Sequence, residues 1–78
     1  MTPNSFATTI IKGYLVELDI YADRIACTVA YRDKSGRRYF ATLDALTEYG
    51  VLEDSQCRQH RVPASIIEAI TDWTYTYR

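Results

Sequence analysis

Histidine and cysteine are scarce in this chain: one histidine, His60, and two cysteines, Cys27 and Cys57, among 78 residues. Two cysteines are too few for a disulfide framework. Cys57 and His60 have the spacing of half a zinc site, but a closed zinc site wants four ligands. Only Cys27 and Asp54 stand by as candidates for the rest, so the pair reads as part of a surface loop and no metal is expected. As a nucleophile and base, the same two residues would need an orienting third group, an oxyanion hole and a cleft, and a domain of this size has little room for one. No catalytic residue, cofactor site or enzyme activity is therefore expected. Glu17 and Asp19, a carboxylate pair on one strand face, read as solvated surface charges rather than as an acid and base.

Charge of one sign is also missing. The formal net charge is -1, so the whole molecule exerts no electrostatic pull on nucleic acid or membrane. No apolar run approaches the length of a membrane span. No charged region precedes an apolar stretch near residue 1, so no signal peptide is expected, and a cytoplasmic location is the default. There is no internal repeat, low-complexity tract or linker. One small domain over residues 1–78 is the expectation, with residues 1–7 frayed.

What is present is apolar and aromatic: 47% hydrophobic residues and seven tyrosines, a globular composition. Seven tyrosines cannot all be buried in so small a core, and tyrosine is a favoured contact residue. The stretch from Tyr14 to Leu43 reads as three antiparallel strands. Tyr14, Val16, Leu18 and Ile20 alternate with Leu15, Glu17, Asp19 and Tyr21; Ile25, Cys27, Val29 and Tyr31 alternate with Arg24, Ala26, Thr28, Ala30 and Arg32. Period two with one apolar face marks half-buried strands. A two-residue loop at Ala22-Asp23 would set Ile20 against Ile25, Leu18 against Cys27, Val16 against Val29 and Tyr14 against Tyr31; a one-residue slip would mismatch every face. Asp33-Lys34-Ser35-Gly36 fits a type I turn closed by a glycine bulge, pairing Asp33 with Arg37. That bulge directs Tyr39, Ala41 and Leu43 inward; a four-residue loop would direct Phe40 inward instead. Thr8 to Lys12 is read as an early start of the first strand, with Gly13 as a bulge or bend.

Thr42 suits a helix N-cap, with Leu43–Tyr49 as a short helix, Asp44 near its start and Gly50 closing it. Val51-Leu52 looks buried. Residues 57–62 read as a loop or a short edge strand. Pro63 opens the last helix, whose stripe Ile66, Ile67, Ile70, Trp73 and Tyr77 faces the core and which weakens over residues 74–77. The fold class expected is α+β: a three-stranded antiparallel meander, four-stranded if residues 57–62 add an edge strand, packed on one face by the short helix and the C-terminal helix.

Two surfaces carry the functional expectation. Arg32, Lys34, Arg37 and Arg38 cluster at the second hairpin beside Tyr31, Tyr39 and Phe40, and Arg58, His60 and Arg61 form a second basic patch. The outer sheet face shows Leu15, Tyr21, Ala30 and Phe40 among charges, the mixture typical of protein interfaces. The bland readings are a solubilising hairpin tip that blunts an edge and an ordinary one-sided sheet. The leading expectation is a non-enzymatic protein-binding module, an adaptor, inhibitor or accessory factor, contacting a protein partner through Tyr21, Arg32, Lys34, Arg37, Arg38, Phe40, Arg58 and Arg61. A homodimer through a face or edge is a further option. The first alternative is a nucleic-acid-binding domain using the Arg/Lys/Tyr hairpin at 31–40, with phosphate contacts and base stacking; the absence of net basic charge counts against it. The second alternative is a small metal or thiol site around Cys57 and His60.

Overall fold

The computed structural model describes residues 2–77. It is an α+β domain: six antiparallel strands in one sheet, ordered as they occur in the chain, and two helices. The strands are β1 (Ser5–Ile11), β2 (Tyr14–Ile20), β3 (Ile25–Arg32), β4 (Arg38–Thr42), β5 (Val51–Glu53) and β6 (Gln59–Arg61). Helix α1 (Leu43–Tyr49) joins β4 to β5, and α2 (Ala64–Tyr75) follows β6. None of the helices described is long and apolar enough to cross a membrane.

The expected strand count is too low, for two reasons. Lys12 and Gly13 both take positive φ, +51° and +90°, which is the backbone of a type I′ hairpin turn. Gly13 is thus the second turn residue rather than a bulge, and Ser5–Ile11 folds back as a full strand with Ile11 opposite Tyr14. Ser5, Phe6 and Ala7, expected to fray, lie in this strand; Met1 lies outside the described residues. At the other end, β5 and β6 form a second short hairpin, with Leu52 opposite His60. The edge strand expected within 57–62 is Gln59–Arg61.

The central register is the one that the alternation demands. Ile20 pairs with Ile25, Leu18 with Cys27 and Val16 with Val29. On β4, Tyr39 is buried while Phe40 stands 50% exposed, the outcome of the glycine bulge at Gly36 (φ +87°). Thr42 caps α1, its hydroxyl accepting from the Ala45 amide at 3.2 Å. Gly50 ends α1 in the left-handed region, donating to the Leu46 carbonyl at 2.7 Å.

The helices cover the inner face. Val16, Leu18, Val29, Leu46, Leu52 and Ile70 are fully buried. On α2 the centre of the packing is Ile70, with Ile66, Ile67 and Trp73 half-buried around it. Trp73 stacks edge-on against Tyr77, with ring centroids 5.1 Å apart. Thr74, in the tail where the helix was expected to weaken, is still helical and buried, its hydroxyl donating to the Ile70 carbonyl at 2.9 Å. That bond satisfies the group inside the helix.

The sheet is strongly curled. In a flat sheet β2 and β6 would lie four strand spacings apart, about 19 Å. Instead the Tyr14 hydroxyl on β2 and His60 Nε2 on β6 share a hydrogen bond of 2.8 Å. Tyr31 stacks on both rings, 4.7 Å from Tyr14 and 4.2 Å from His60, and Tyr39 closes the group at 5.5 Å from His60. Burial, and then the neighbouring Tyr31, push the Tyr14 hydroxyl above its ordinary pKa.

Candidate functional site

The curl brings two hairpin tips together, and they are built alike. At the β3–β4 tip, Asp33 donates its amide to the Arg37 carbonyl and accepts the Gly36 amide, both at 3.0 Å. Its Oδ1 accepts the Ser35 and Arg37 amides at 3.0 and 2.9 Å and the Ser35 hydroxyl at 2.6 Å. The Tyr39 hydroxyl donates to Oδ2 at 3.3 Å. At the β5–β6 tip, Asp54 donates to the Arg58 carbonyl at 3.0 Å and accepts the Cys57 amide at 3.1 Å. Its Oδ1 accepts the Gln56 and Arg58 amides at 2.9 and 2.8 Å. The two sequences, Asp33-Lys-Ser-Gly-Arg37 and Asp54-Ser-Gln-Cys-Arg58, therefore encode one turn twice: an aspartate cap, a left-handed fourth residue and an arginine exit.

The tips meet through Asp54. Its Oδ2 lies 3.7 Å from Arg37 Nε across the gap and 3.7 Å from Arg58 Nη1 within its own turn. Both carboxyls are held below the usual aspartate range. For Asp33 the principal cause is the Ser35 hydroxyl, reinforced by the amides. For Asp54, partial burial works against ionisation, but the Arg58 and Gln56 amides and the two guanidiniums outweigh it. Both acids are thereby committed to the turns. Among the described residues, Arg32, Lys34, Arg38 and Arg61 enter no ion pair.

Two shallow grooves flank this end. One, of about 520 Å³, runs between the tips and is lined by Ser35, Gly36, Arg37, Arg38, Asp54 and Arg58. The other, of about 340 Å³, lies on the outer face over Leu15, Glu17, Ala30, Arg32 and Arg38. Phe40 borders both, and also a third groove that holds Arg61 and Tyr49. Leu15, Ala30 and Phe40 are successive cross-strand neighbours on β2, β3 and β4. They make one apolar row, with Leu15 37% exposed and two unpaired arginines beside it.

The expected contact residues thus divide. Arg32, Arg37, Arg38, Phe40 and Arg58 converge on the two grooves, and Lys34 stands exposed at the adjoining tip. Arg61 lies apart, in the groove on the far side of Phe40. Tyr21 lies apart from these grooves, just beyond the far end of β2, half-buried beneath the Arg24 guanidinium at 4.2 Å. Tyr31 and Tyr39, expected beside the basic cluster, turn inward to the aromatic group instead. Cys57 and His60 are likewise separated by side: Cys57 is exposed at the turn, while His60 points into the core cluster. Among the described residues no group of three or more His, Cys, Asp or Glu side chains is placed to hold a metal ion.

The fold and the site define a small α+β domain with a charged, apolar-floored surface at one end of a curled sheet. The chain matches no protein-family model, no curated protein and no solved structure.

Proposed function

We propose that the chain is a small non-enzymatic protein-binding module whose outer sheet face receives an acidic partner segment bearing an apolar side chain. The observation that supports this most is the pairing of half-exposed Phe40 with Arg32 and Arg38, cations that have no anionic partner among the described residues. An exposed aromatic anchor rimmed by arginines is the composition of an interface hot spot. Arg37 and Arg58 are partly neutralised by Asp54 and serve to hold the rim in shape.

Binding of single-stranded nucleic acid is the competing reading, since the same cations suit phosphates. It is weakened by the inward rotation of Tyr31 and Tyr39, which leaves Phe40 as the only one of the three rings available for base stacking. The discriminating experiment is affinity capture of partners with and without nuclease, using wild type, Phe40→Ser and Arg38→Glu. A defined protein that survives nuclease and loses about tenfold or more in affinity with either variant supports the proposal. Binding that disappears with nuclease and falls steeply with salt gives the site to nucleic acid.

A further inference from the structure

The two edges of the sheet are finished differently. β6 is three residues long and carries Arg61; short, charged edges resist pairing. β1 is seven residues long, Ser-Phe-Ala-Thr-Thr-Ile-Ile, with no charge and no proline. Phe6 and Ile10 stand 69% and 70% exposed on it. Between Ser5 and Ile11 it bears none of the charges or prolines that keep an edge from recruiting a strand; Pro3 and the Asn4–Ser5 step, where both residues face Ile20, bound it at one end.

The backbone of β1 is also poised. The two-residue Lys12-Gly13 turn makes Ile11 and Tyr14 a mutually hydrogen-bonded pair. Bonding alternates along an antiparallel ladder, so Ser5, Ala7, Thr9 and Ile11 bond to β2. Phe6, Thr8 and Ile10 aim their N–H and C=O groups away from the sheet. Among the described residues none of these outward groups has a hydrogen-bond partner beyond the strand.

We infer that β1 pairs with β1 of a second copy of this chain, antiparallel about a two-fold axis at Thr8. The occupant follows from the strand's self-complementarity. With Thr8 opposite its own equivalent, Phe6 falls opposite Ile10 of the other copy and Ile10 opposite Phe6. Each outward N–H meets an outward C=O, giving six hydrogen bonds. Sliding the register by two residues in either direction strands one of the three positions against the Lys12 turn or against Asn4. On the outer face the exposed Phe6 and Ile10 cover each other, and a Thr–Thr pair lies on the axis, both favourable cross-strand pairs. No charge is brought opposite a like charge, because Glu17 and Asp19 lie one strand back, across from Thr8 and Phe6. The product is one continuous twelve-stranded sheet in which the Phe40–Ala30–Leu15–Ile10 rows of both copies lie on a single face. This pairing stands independently of what that face binds.

The test is sedimentation of the full chain up to about 100 μM, together with amide hydrogen exchange. The expected species has twice the 9.0 kDa monomer mass. The Phe6, Thr8 and Ile10 amides are protected alongside those of Ser5, Ala7, Thr9 and Ile11. Thr8→Lys, which sets two cations on the axis, and Thr8→Pro, which removes an outward N–H and no bond to β2, both give monomers. In Thr8→Lys the three outward amides lose protection, and in Thr8→Pro the two that remain, Phe6 and Ile10, lose it, while the other four keep it. A monomeric wild type throughout that range overturns the inference, and so does a dimer whose Phe6, Thr8 and Ile10 amides exchange freely. The wild-type exchange pattern decides the matter even if both variants fold poorly. Protection of these amides only on adding a different protein also overturns it and assigns the edge to that partner.

Discussion

The two hairpin tips share a cap and an exit but differ at the fourth position. Gly36 takes φ +87° and Cys57 takes φ +63°, yet both turns close with the same two backbone bonds and the same two amide-to-Oδ1 bonds. A left-handed conformation costs a residue with a Cβ roughly 1–2 kcal/mol, and Cys57 bears that cost where Gly36 does not. The aspartate at the first position is the common element, so the carboxylate, rather than the glycine, dictates this turn. The tips differ in a second way: Asp33 closes on its own hairpin through Tyr39, whereas Asp54 also reaches Arg37 of the other.

If the caps are the determinants, Asp54→Ala produces the largest loss among these changes. It removes acceptors for two amides and leaves Arg37 and Arg58 facing each other without the anion between them. Its urea midpoint should fall below that of Asp33→Ala, and reversal of that order would remove Asp54 from its bridging role. Gly36→Ala places a Cβ at φ +87° and should lose about 1–2 kcal/mol in chemical denaturation; an unchanged midpoint would mean that the turn relaxes out of the left-handed region. Cys57→Gly works in the opposite direction. Relief of the left-handed penalty, less the extra chain entropy of glycine, leaves a gain of about 0.5 kcal/mol. A loss instead would show that the thiol makes a stabilising contact.

The smallest effect concerns acid. Both carboxyls ionise more readily in the folded chain than in the unfolded one. The folded state therefore binds fewer protons, and the stability the two groups contribute is complete above the unfolded value of about 3.9. It declines as pH falls from there through the folded values. Asp33→Asn/Asp54→Asn should flatten the stability profile below about pH 4, and a double variant as acid-sensitive as wild type would refute the assignment.

The same comparison explains what could be read from residues alone. The β3–β4 tip was legible because Gly36 announces a positive φ. Its twin was hidden because cysteine at that position carries no such signal, although the Asp-to-Arg spacing of Asp33–Arg37 recurs at Asp54–Arg58 and would have revealed β5 and β6. β1 was read only in part, as an early start of the next strand, for a related reason. Its outward residues include Phe6 and Ile10 and its inward ones Ala7 and Thr9, so the apolar alternation that marks β2 and β3 is inverted. The caps of α1 were plain because each rests on a single local hydrogen bond. On α2, residue spacing found the apolar stripe but not its centre, since burial of Ile70 over Trp73 depends on what lies opposite. Of the site, the basic residues and Phe40 were legible one by one. Their convergence was not, because it depends on the curl that carries the second tip to the first.

That curl also bears on how the chain assembles. Neighbouring strands are neighbours in sequence, so each ladder closes a short loop and its entropic cost stays low, the condition for rapid folding. The Tyr14–His60 and Cys27–Thr74 contacts span 46 and 47 positions and tie the late segments to the early ones. Hairpins formed from their own residues are therefore expected to precede closure, with β6 and α2 as the last unit to dock and the first to leave. Native-state exchange should find residues 59–77 opening at lower denaturant than β2 and β3, and a uniform opening of all strands would make the domain a single indivisible unit.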